Sequence, residues 1–321
     1  METALNTGDT AWVLISAALV LMMTVPGLAL FYGGMTRVKA VLNMMMMSFS
    51  ALALVGVLWI LFGYGLTFGD SVGGLGLVGN PIEALGLNGL MSEEAMSGSI
   101  PTLAFVAFQS AFAIIAVALI SGAVADRMKF SAWIVFAALW AAIVYFPVAH
   151  WVFAFSDDDV TGGWIANQIE ALDFAGGTAI HINAGAAALA LVLVLGKRIG
   201  FGREPMRPHN LPFVMMGAAL LFIGWFGFNA GSALGANTLA AVAFVNTIAA
   251  TAAAIIGWLI LERIRDGHAT SLGAASGVIA GLVGITPAAN SVSPLGALAI
   301  GLICGAASAW AVGLKFKLGY D

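Results

Sequence analysis

The stretch ALDFAGGTAIHINAG, residues 171–185, places a histidine inside an apolar segment that is long enough to cross a membrane. No Asp, Glu, Lys or Arg occurs between Phe174 and Gly196. These roughly 23 residues of helix would cross a bilayer core of about 30 Å. His181 lies about one-third of the way along, where an ionisable side chain is costly and usually faces a bundle interior or a water-filled path. The first hypothesis is therefore a conduit whose cargo contacts His181.

Composition excludes an ordinary soluble domain. Hydrophobic residues make up 61% of the chain and charged residues 9%, against about 25% charged residues in soluble domains. The one cysteine, Cys304, excludes a disulfide framework and a cysteine-based metal site. No basic segment precedes the first apolar run near Ala11, so no cleavable signal peptide is predicted. We expect a membrane protein without a cofactor, and not an enzyme.

Nine apolar segments predict an all-α polytopic membrane protein with nine transmembrane helices. They cover residues 11–34, 41–68, 101–125, 130–154, 174–196, 211–231, 238–261, 270–286 and 294–314.

The charges sort by side when the connecting loops are numbered alternately. All 12 basic residues follow odd-numbered segments: Arg37, Lys39, Arg127, Lys129, Lys197, Arg198, Arg203, Arg207, Arg263, Arg265, Lys315 and Lys317. The positive-inside rule makes that side the cytoplasm of a cell membrane and places the N-terminus outside. Loops on the other side are acidic, with Asp70, Glu83, Glu93, Glu94, Asp157, Asp158, Asp159 and Glu170. This acidity either concentrates cations at an outer mouth or is merely tolerated there.

A similarity between two segments of the chain predicts inverted repeats. PGLALFYGG (26–34) and GWFGFNAG (224–231) both put aromatic residues and glycines late in a segment that opens a five-segment set. Residues 1–196 would form the first repeat, and 211–321 would supply only segments 6 to 9 of the second. We therefore expect a fragment or a natural truncation, and poor conduction by residues 1–321 alone.

Several ordered motifs resemble the ammonium transporter family (Amt/Mep/Rh), in particular its bacterial Amt branch. They are PGLALFYGG (26–34), AFVAFQSAF (104–112), SGAVADRMKF (121–130), ALDFAGGTAIHINAG (171–185), GKRIGFGREPMRPHNLP (196–212), IGWFGFNAGSA (223–233) and AGLVGITPA (280–288). The resemblance implies an eleven-helix inverted-repeat bundle that forms homotrimers, with one ammonia-conducting pore in each subunit.

The resemblance also implies roles at the outer mouth of that pore. Phe112 and Phe228 match the stacked phenyl gate, with Phe108 beside it, and Ser232 matches the hydroxyl that accepts a hydrogen bond from ammonium. Phe153 stands where many relatives have a vestibule tryptophan, and nearby Trp151 or Trp164 is an alternative occupant. Phenylalanine offers a weaker cation–π surface than tryptophan.

Further positions match the pore itself. Trp225, Phe31 and Tyr32 resemble its wall residues, and His181 resembles the first of two pore histidines. The second belongs to a tenth segment, which these 321 residues do not include. Asp173 matches an aspartate that shapes the vestibule. A plain helix N-cap, bonded to nearby backbone N–H groups, is an equally good interpretation, and we expect Asp173 to act mainly as a cap.

Physical chemistry supports the implied mechanism. Ammonium and potassium are alike in size and charge, but only ammonium donates hydrogen bonds to a hydroxyl. Moving the intact ion through apolar walls would be costly, so we expect deprotonation and passage of neutral ammonia, with histidine as a hydrogen-bonding or relay group.

Alternatives remain in three classes. A channel for another small polar solute such as urea would need a wider, more polar filter than two phenyl rings. An intramembrane hydrolase using His181 with Asp173 is disfavoured, because eight helical positions separate the side chains by about 12 Å. An ammonium sensor of the same fold usually carries an appended signalling domain.

The cytoplasmic loop GKRIGFGREPMRPHN would suit docking of a PII-type signal protein, although ordinary topology explains its charges equally well. We expect a structural hydrogen bond at His150, and solvated side chains at His209 and His268.

Overall fold

The computed structural model describes residues 4–158 and 160–321, so Asp159 of the predicted acidic loops lies outside the described residues. Within the described residues, nine helical runs are long and apolar enough to cross a membrane. They are α1 (Thr7–Met35), α2 (Val38–Phe68), α3 (Thr102–Val124), α4 (Phe130–Phe153), α5 (Gly177–Leu195), α6 (Leu211–Ala233), α7 (Thr238–Asp266), α8 (Ser271–Ala288) and α9 (Pro294–Leu318). These runs confirm the nine predicted segments.

The ends of the helices differ from the predicted bounds for local reasons. Helix α1 starts before the apolar run because the Asn6 side chain accepts hydrogen bonds from the backbone N–H groups of Gly8 and Asp9. Helix α7 continues past its apolar part to Asp266 and ends at Gly267, whose φ of 83° lies in the left-handed region. Hydropathy alone therefore places the middle of each helix better than its ends.

Some of these runs change helix type along their length. Short π-helical segments cover Trp59–Gly63, Ala141–Tyr145, Ile165–Ile169, Gly177–Ile182 and Phe226–Ala230, and α1 is kinked within Met23–Leu28, where Val25 has a non-helical φ of −136°. Short 3-10 turns cover Val38–Ala40, Val72–Gly74, Leu85–Leu87, Ser121–Val124, Gly231–Ala233 and Thr286–Ala288. An antiparallel pair, β1 (Met96–Ser97) and β2 (Ile100–Pro101), precedes α3. Such π-helical segments frequently occur at functional sites, and two of these carry the residues described below.

Helix α3 forms the centre of the bundle, and α5 lies at its edge. In the most apolar window of α3, 67% of residues are buried, against 17% in α5. The core around α3 includes the fully buried rings of Phe108 and Phe112. The histidine-bearing helix thus has one face against the core and a broad exposed face.

Small residues bring α7, α8 and α9 into close contact. A side chain at Gly281 would collide with Ala250 and Ala254 of α7. Gly301 and Gly305 of α9 lie against the backbone carbonyl groups of the same two alanines. Helix backbones can approach this closely only where side chains are small, which accounts for the glycine-rich patterns of the last two helices.

Candidate functional site

Two cavities lie on either side of the core. One cavity, about 600 Å³, opens toward the acidic loops and is named the outer cavity after the predicted orientation; the other, about 710 Å³, opens toward the basic loops and is named the inner cavity. The outer cavity is lined by five of the predicted site residues: Phe108, Phe112, Phe153, Asp173 and Ser232. The inner cavity is lined by two others, Tyr32 and His181.

Two phenyl rings stand between these cavities. The rings of Phe112 and Phe228 are 4.4 Å apart between centroids, with an interplanar angle of 31°. Phe108 contacts Phe112 edge-on at 4.7 Å. All three side chains are almost completely buried. A pair of rings at this spacing leaves no room for a water molecule between them, so the outer cavity is closed at its floor.

Close packing of α6 against α1 positions Phe228. It lies in the π-helical segment Phe226–Ala230, flanked by Gly227 and Gly231. Both glycines pack directly on Ser16 of α1, and a side chain at either would collide with it. Glycine at these two positions therefore lets the end of α6 approach α1 and α3 closely enough for Phe228 to meet Phe112.

His181 lies directly beneath these two rings. Its ring is 5.6 Å from that of Phe228, at 20°, and 5.4 Å from that of Trp225, at 22°. Its Nε2 atom is buried and has no hydrogen-bond partner among the described residues. Because the side chain also lines the inner cavity, the histidine is not walled off by hydrocarbon. Contacts run from the outer cavity through Phe112, Phe228 and His181 to the inner cavity.

Asp173 caps the start of α5. Its two carboxylate oxygens accept hydrogen bonds from the backbone N–H groups of Gly176, Gly177, Thr178 and Ala179, at 2.6–3.2 Å. This geometry agrees with the predicted capping role. The turn depends on Gly176, whose φ of 100° is unsuited to other residues. The cap holds the histidine-bearing segment in place.

Ser232 presents an acceptor to the outer cavity. Its Oγ donates its proton to the carbonyl oxygen of Phe228 at 2.8 Å. A hydroxyl has one donor and two acceptor positions, so the remaining capacity of this group is for accepting. A hydrogen-bond donor in the cavity therefore meets an oxygen that can only accept.

The aromatic wall residues are held by hydrogen bonds. The Trp225 indole donates to Oγ1 of Thr286 at 2.9 Å, and the Tyr32 hydroxyl donates to the carbonyl oxygen of Leu119 at 2.9 Å. Trp225 and Phe31 line neither of the two cavities. Trp225 reaches the path only through its contact with His181, and Phe31 only through its contact with Tyr32 at 5.9 Å.

Of the three aromatic candidates for the vestibule, Phe153 lines the outer cavity, whereas Trp151 and Trp164 do not. The two tryptophans pack on each other at 5.9 Å, and the Trp151 indole donates to the carbonyl oxygen of Leu77 in an outer loop. Of the three alternatives, Phe153 is therefore the one that lies in the wall of the outer cavity.

Sequence reasoning missed several residues of the site. Thr286 was part of a recognised motif but had no assigned role, and the side-chain partner of an indole cannot be read from spacing. Polar residues of the outer cavity were also missed: Ser97, Gln109, Asn290 and Ser291. Among the described residues, no group of three His, Cys, Asp or Glu side chains could hold a metal ion.

A charged network lies at the basic side of the bundle. The guanidinium of Arg198 forms two hydrogen bonds of 2.7 Å with the carboxylate of Asp321, whose side chain is fully buried. Burial raises the pKa of that carboxyl, but the hydrogen bonds from Arg198 and the positive charges of Arg198 and Arg127 together more than offset this effect, so the pKa is lowered to about 2. Arg37 likewise pairs with Asp126 at 2.9 Å.

The other histidines have structural or solvent-exposed positions. Nδ1 of His150 lies 2.9 Å from the carbonyl oxygen of Thr67, which confirms the predicted structural hydrogen bond. His268 is exposed, as predicted. His209 is half-buried and its Nδ1 lies 3.1 Å from the carbonyl oxygen of Thr36, so the prediction of a solvated side chain is wrong there.

The fold and its two cavities define a polytopic helical membrane protein of the transporter class. The Ammonium Transporter Family profile matches residues 11–321. An ammonium transporter of Mycobacterium tuberculosis is 61% identical over 330 residues, which cover 98% of this chain and 69% of that protein. Ammonium transporter Amt1 of Archaeoglobus fulgidus is 42% identical, covering 99% of this chain and 76% of its own length.

Solved structures of Mep2 and Amt proteins superpose closely on this fold. Saccharomyces cerevisiae Mep2 superposes with a TM-score of 0.90 at 34% identity, over 100% of this chain and 70% of that one. A protein described as a sensor Amt protein superposes with a TM-score of 0.89 at 29% identity, over 98% of this chain and 76% of its own. The chain belongs to the ammonium transporter family.

Proposed function

We propose that this protein recruits ammonium in the outer cavity, where the ion gives up its proton to solvent above the phenyl gate, and conducts ammonia past His181 toward the cytoplasm. The observation that carries the proposal is the unbroken line of contacts from Phe112 through Phe228 to His181, with a cavity at each end. Family membership supports the choice of cargo.

Recruitment uses the aromatic walls and Ser232. Aromatic faces attract any small cation, so they concentrate ammonium and potassium alike. Ser232 distinguishes between them, because its oxygen has its proton engaged with Phe228 and can accept a hydrogen bond from ammonium. Potassium has no proton to donate.

The buried gate favours the neutral species. Phe112 and Phe228 offer no hydrogen bonds to replace the hydration of an ion, whereas ammonia loses much less on entering an apolar passage. His181 then offers ammonia the first polar group beyond the gate. Its unpartnered Nε2 suits either a hydrogen bond to ammonia or a proton relay.

Methylammonium uptake by cells that lack other ammonium transporters and express the full-length protein tests this function. We expect saturable uptake by the wild type, a fall of about tenfold or more for His181→Ala, and altered uptake with poorer exclusion of potassium for Phe112→Ala. Phe226→Ala is the matched control, because Phe226 belongs to the same π-helical segment but stacks on Phe244 at 4.1 Å. Unchanged uptake in both site variants would refute the assigned roles.

We place the protein in the cell membrane as a homotrimer with its N-terminus outside. The one-sided distribution of Lys and Arg supports this orientation. A cysteine at Glu94 would then react with a membrane-impermeant maleimide added to intact cells of a Cys304→Ala variant, and a cysteine at Arg203 would not. Cross-linking in membranes, followed by mass analysis, tests the trimer.

A PII-type signal protein is the proposed cytoplasmic partner. The loop around Arg203 and Arg207 is basic and exposed, as a docking surface for an acidic partner requires. Co-purification with a PII protein from the same cell is the expected result. Retention of the complex after Arg203→Ala and Arg207→Ala together would exclude this loop as the contact.

A further inference from the structure

The outer cavity is lined by two acidic residues, Glu170 and Asp173, and by no basic one among the described residues. The remaining lining is aromatic, aliphatic or uncharged polar. Electrostatic attraction of a cation into this cavity therefore depends on how the two carboxylates are engaged.

The negative charge of Asp173 is largely neutralised by hydrogen bonds within the protein. Both of its oxygens are occupied by four backbone N–H groups at the start of α5. The positive end of the helix dipole lies at the same place and offsets the negative charge. The carboxylate of Asp173 therefore exerts only a weak net attraction on a cation in the cavity.

The carboxylate of Glu170, unlike that of Asp173, is not engaged by hydrogen bonds from the described residues. Glu170 ends the π-helical segment Ile165–Ile169 with φ of 55° and ψ of 38°, a left-handed conformation that residues other than glycine and asparagine seldom adopt. Its carboxylate is exposed, and it has neither a hydrogen bond nor an ion pair within residues 4–158 and 160–321.

We propose that Glu170 is the recruiting carboxylate of the outer cavity, a residue that sets the apparent affinity for cationic substrate. The inference rests on the proposed function of this cavity. It assigns long-range attraction to Glu170 and leaves the choice between ammonium and potassium to Ser232. It also supplies attraction at a cavity where Phe153 provides the weaker aromatic surface.

The size of the effect follows from Coulomb attraction in water. A unit charge about 5 to 10 Å from a cation raises its local concentration about two- to fourfold. Salt screens this attraction, with a Debye length of about 30 Å at 0.01 M and about 10 Å at 0.1 M. The contribution of Glu170 should therefore be largest at low ionic strength.

The test is the concentration dependence of methylammonium uptake by whole cells expressing the full-length protein as wild type, Glu170→Gln, Glu170→Lys and Glu94→Gln. Glu94 is an exposed acidic residue of the same side that does not line the cavity, so Glu94→Gln is the matched control. Uptake is measured at low and at high ionic strength, with the amount of protein in the membrane determined for each variant.

We expect the KM of Glu170→Gln to rise about two- to fourfold at low ionic strength with Vmax unchanged, and that of Glu170→Lys to rise further. Both differences should shrink at high ionic strength, and Glu94→Gln should match the wild type. Wild-type KM in Glu170→Gln, or an equal shift in Glu94→Gln, would overturn the inference while leaving the proposed function intact. Absence of uptake by the wild type would instead refute the proposed function.

Discussion

The imidazole of His181 and the phenyl ring of Phe228 lie almost parallel, with 20° between their planes and 5.6 Å between their centroids. A molecule that passes the Phe112–Phe228 pair therefore meets the histidine without crossing any intervening layer. Phe228 and His181 come from different helices, α6 and α5, so their contact depends on how these helices are held.

Thr286→Val should disturb this arrangement through Trp225. The substitution keeps the shape of the side chain but removes the acceptor of the Trp225 indole. An unsatisfied buried N–H group costs about 1–3 kcal/mol, and Trp225 would be free to turn away from His181. We expect a lower melting temperature in detergent and reduced methylammonium uptake. Thr286→Ser should restore both, and equal stability of Thr286→Val and the wild type would contradict the prediction.

Asp173→Ala should destabilise the start of α5. It leaves four backbone N–H groups without their acceptor, and loss of such a cap costs about 1–3 kcal/mol. Asp173→Asn keeps one acceptor oxygen and should be intermediate. Thermal unfolding of the three proteins checks the order, and a melting temperature of Asp173→Ala equal to that of the wild type would exclude the capping role.

The pair formed by Arg198 and Asp321 should stabilise the protein in a pH-dependent way. The folded pKa of Asp321, about 2, lies below its ordinary value of about 3.9. The stabilisation is therefore complete above about pH 5 and is lost as the pH falls through 4 toward 2. We expect about 1 kcal/mol after solvent screening.

Unfolding of the wild type and Asp321→Asn at several pH values measures this contribution. The wild type should be the more stable protein between pH 5 and 7, and the difference should disappear near pH 2. A difference that is independent of pH would show that the carboxylate charge is not responsible.

Gly305→Leu should separate α7 from α9. Any side chain at this position would meet the Ala254 carbonyl group, and overpacking a close contact costs about 3 kcal/mol. Gly185→Ala is the control, because its added methyl group would meet no atom within 4 Å. Expression level and monodispersity in detergent report the outcome, and normal behaviour of Gly305→Leu would contradict the packing.

The sequence by itself determined the nine membrane-crossing helices, the side on which the basic residues lie, the close approach of the glycine-rich helices and the cap at Asp173. Each of these is indicated by a pattern that is local along the chain, although the helix contacts themselves join distant residues. Hydropathy acts over one helix length, and a cap joins residues only a few positions apart.

Tertiary structure alone decided which aromatic residues line the outer cavity and what His181 touches. Trp151 and Trp164 lie in the same stretch as Phe153, yet only Phe153 reaches the cavity, because the rotation of a helix and the course of the outer loops decide which side chain faces inward. The bond between Trp225 and Thr286 joins residues 61 positions apart. Such contacts follow from the packing of whole helices against one another, which no local pattern in the sequence specifies.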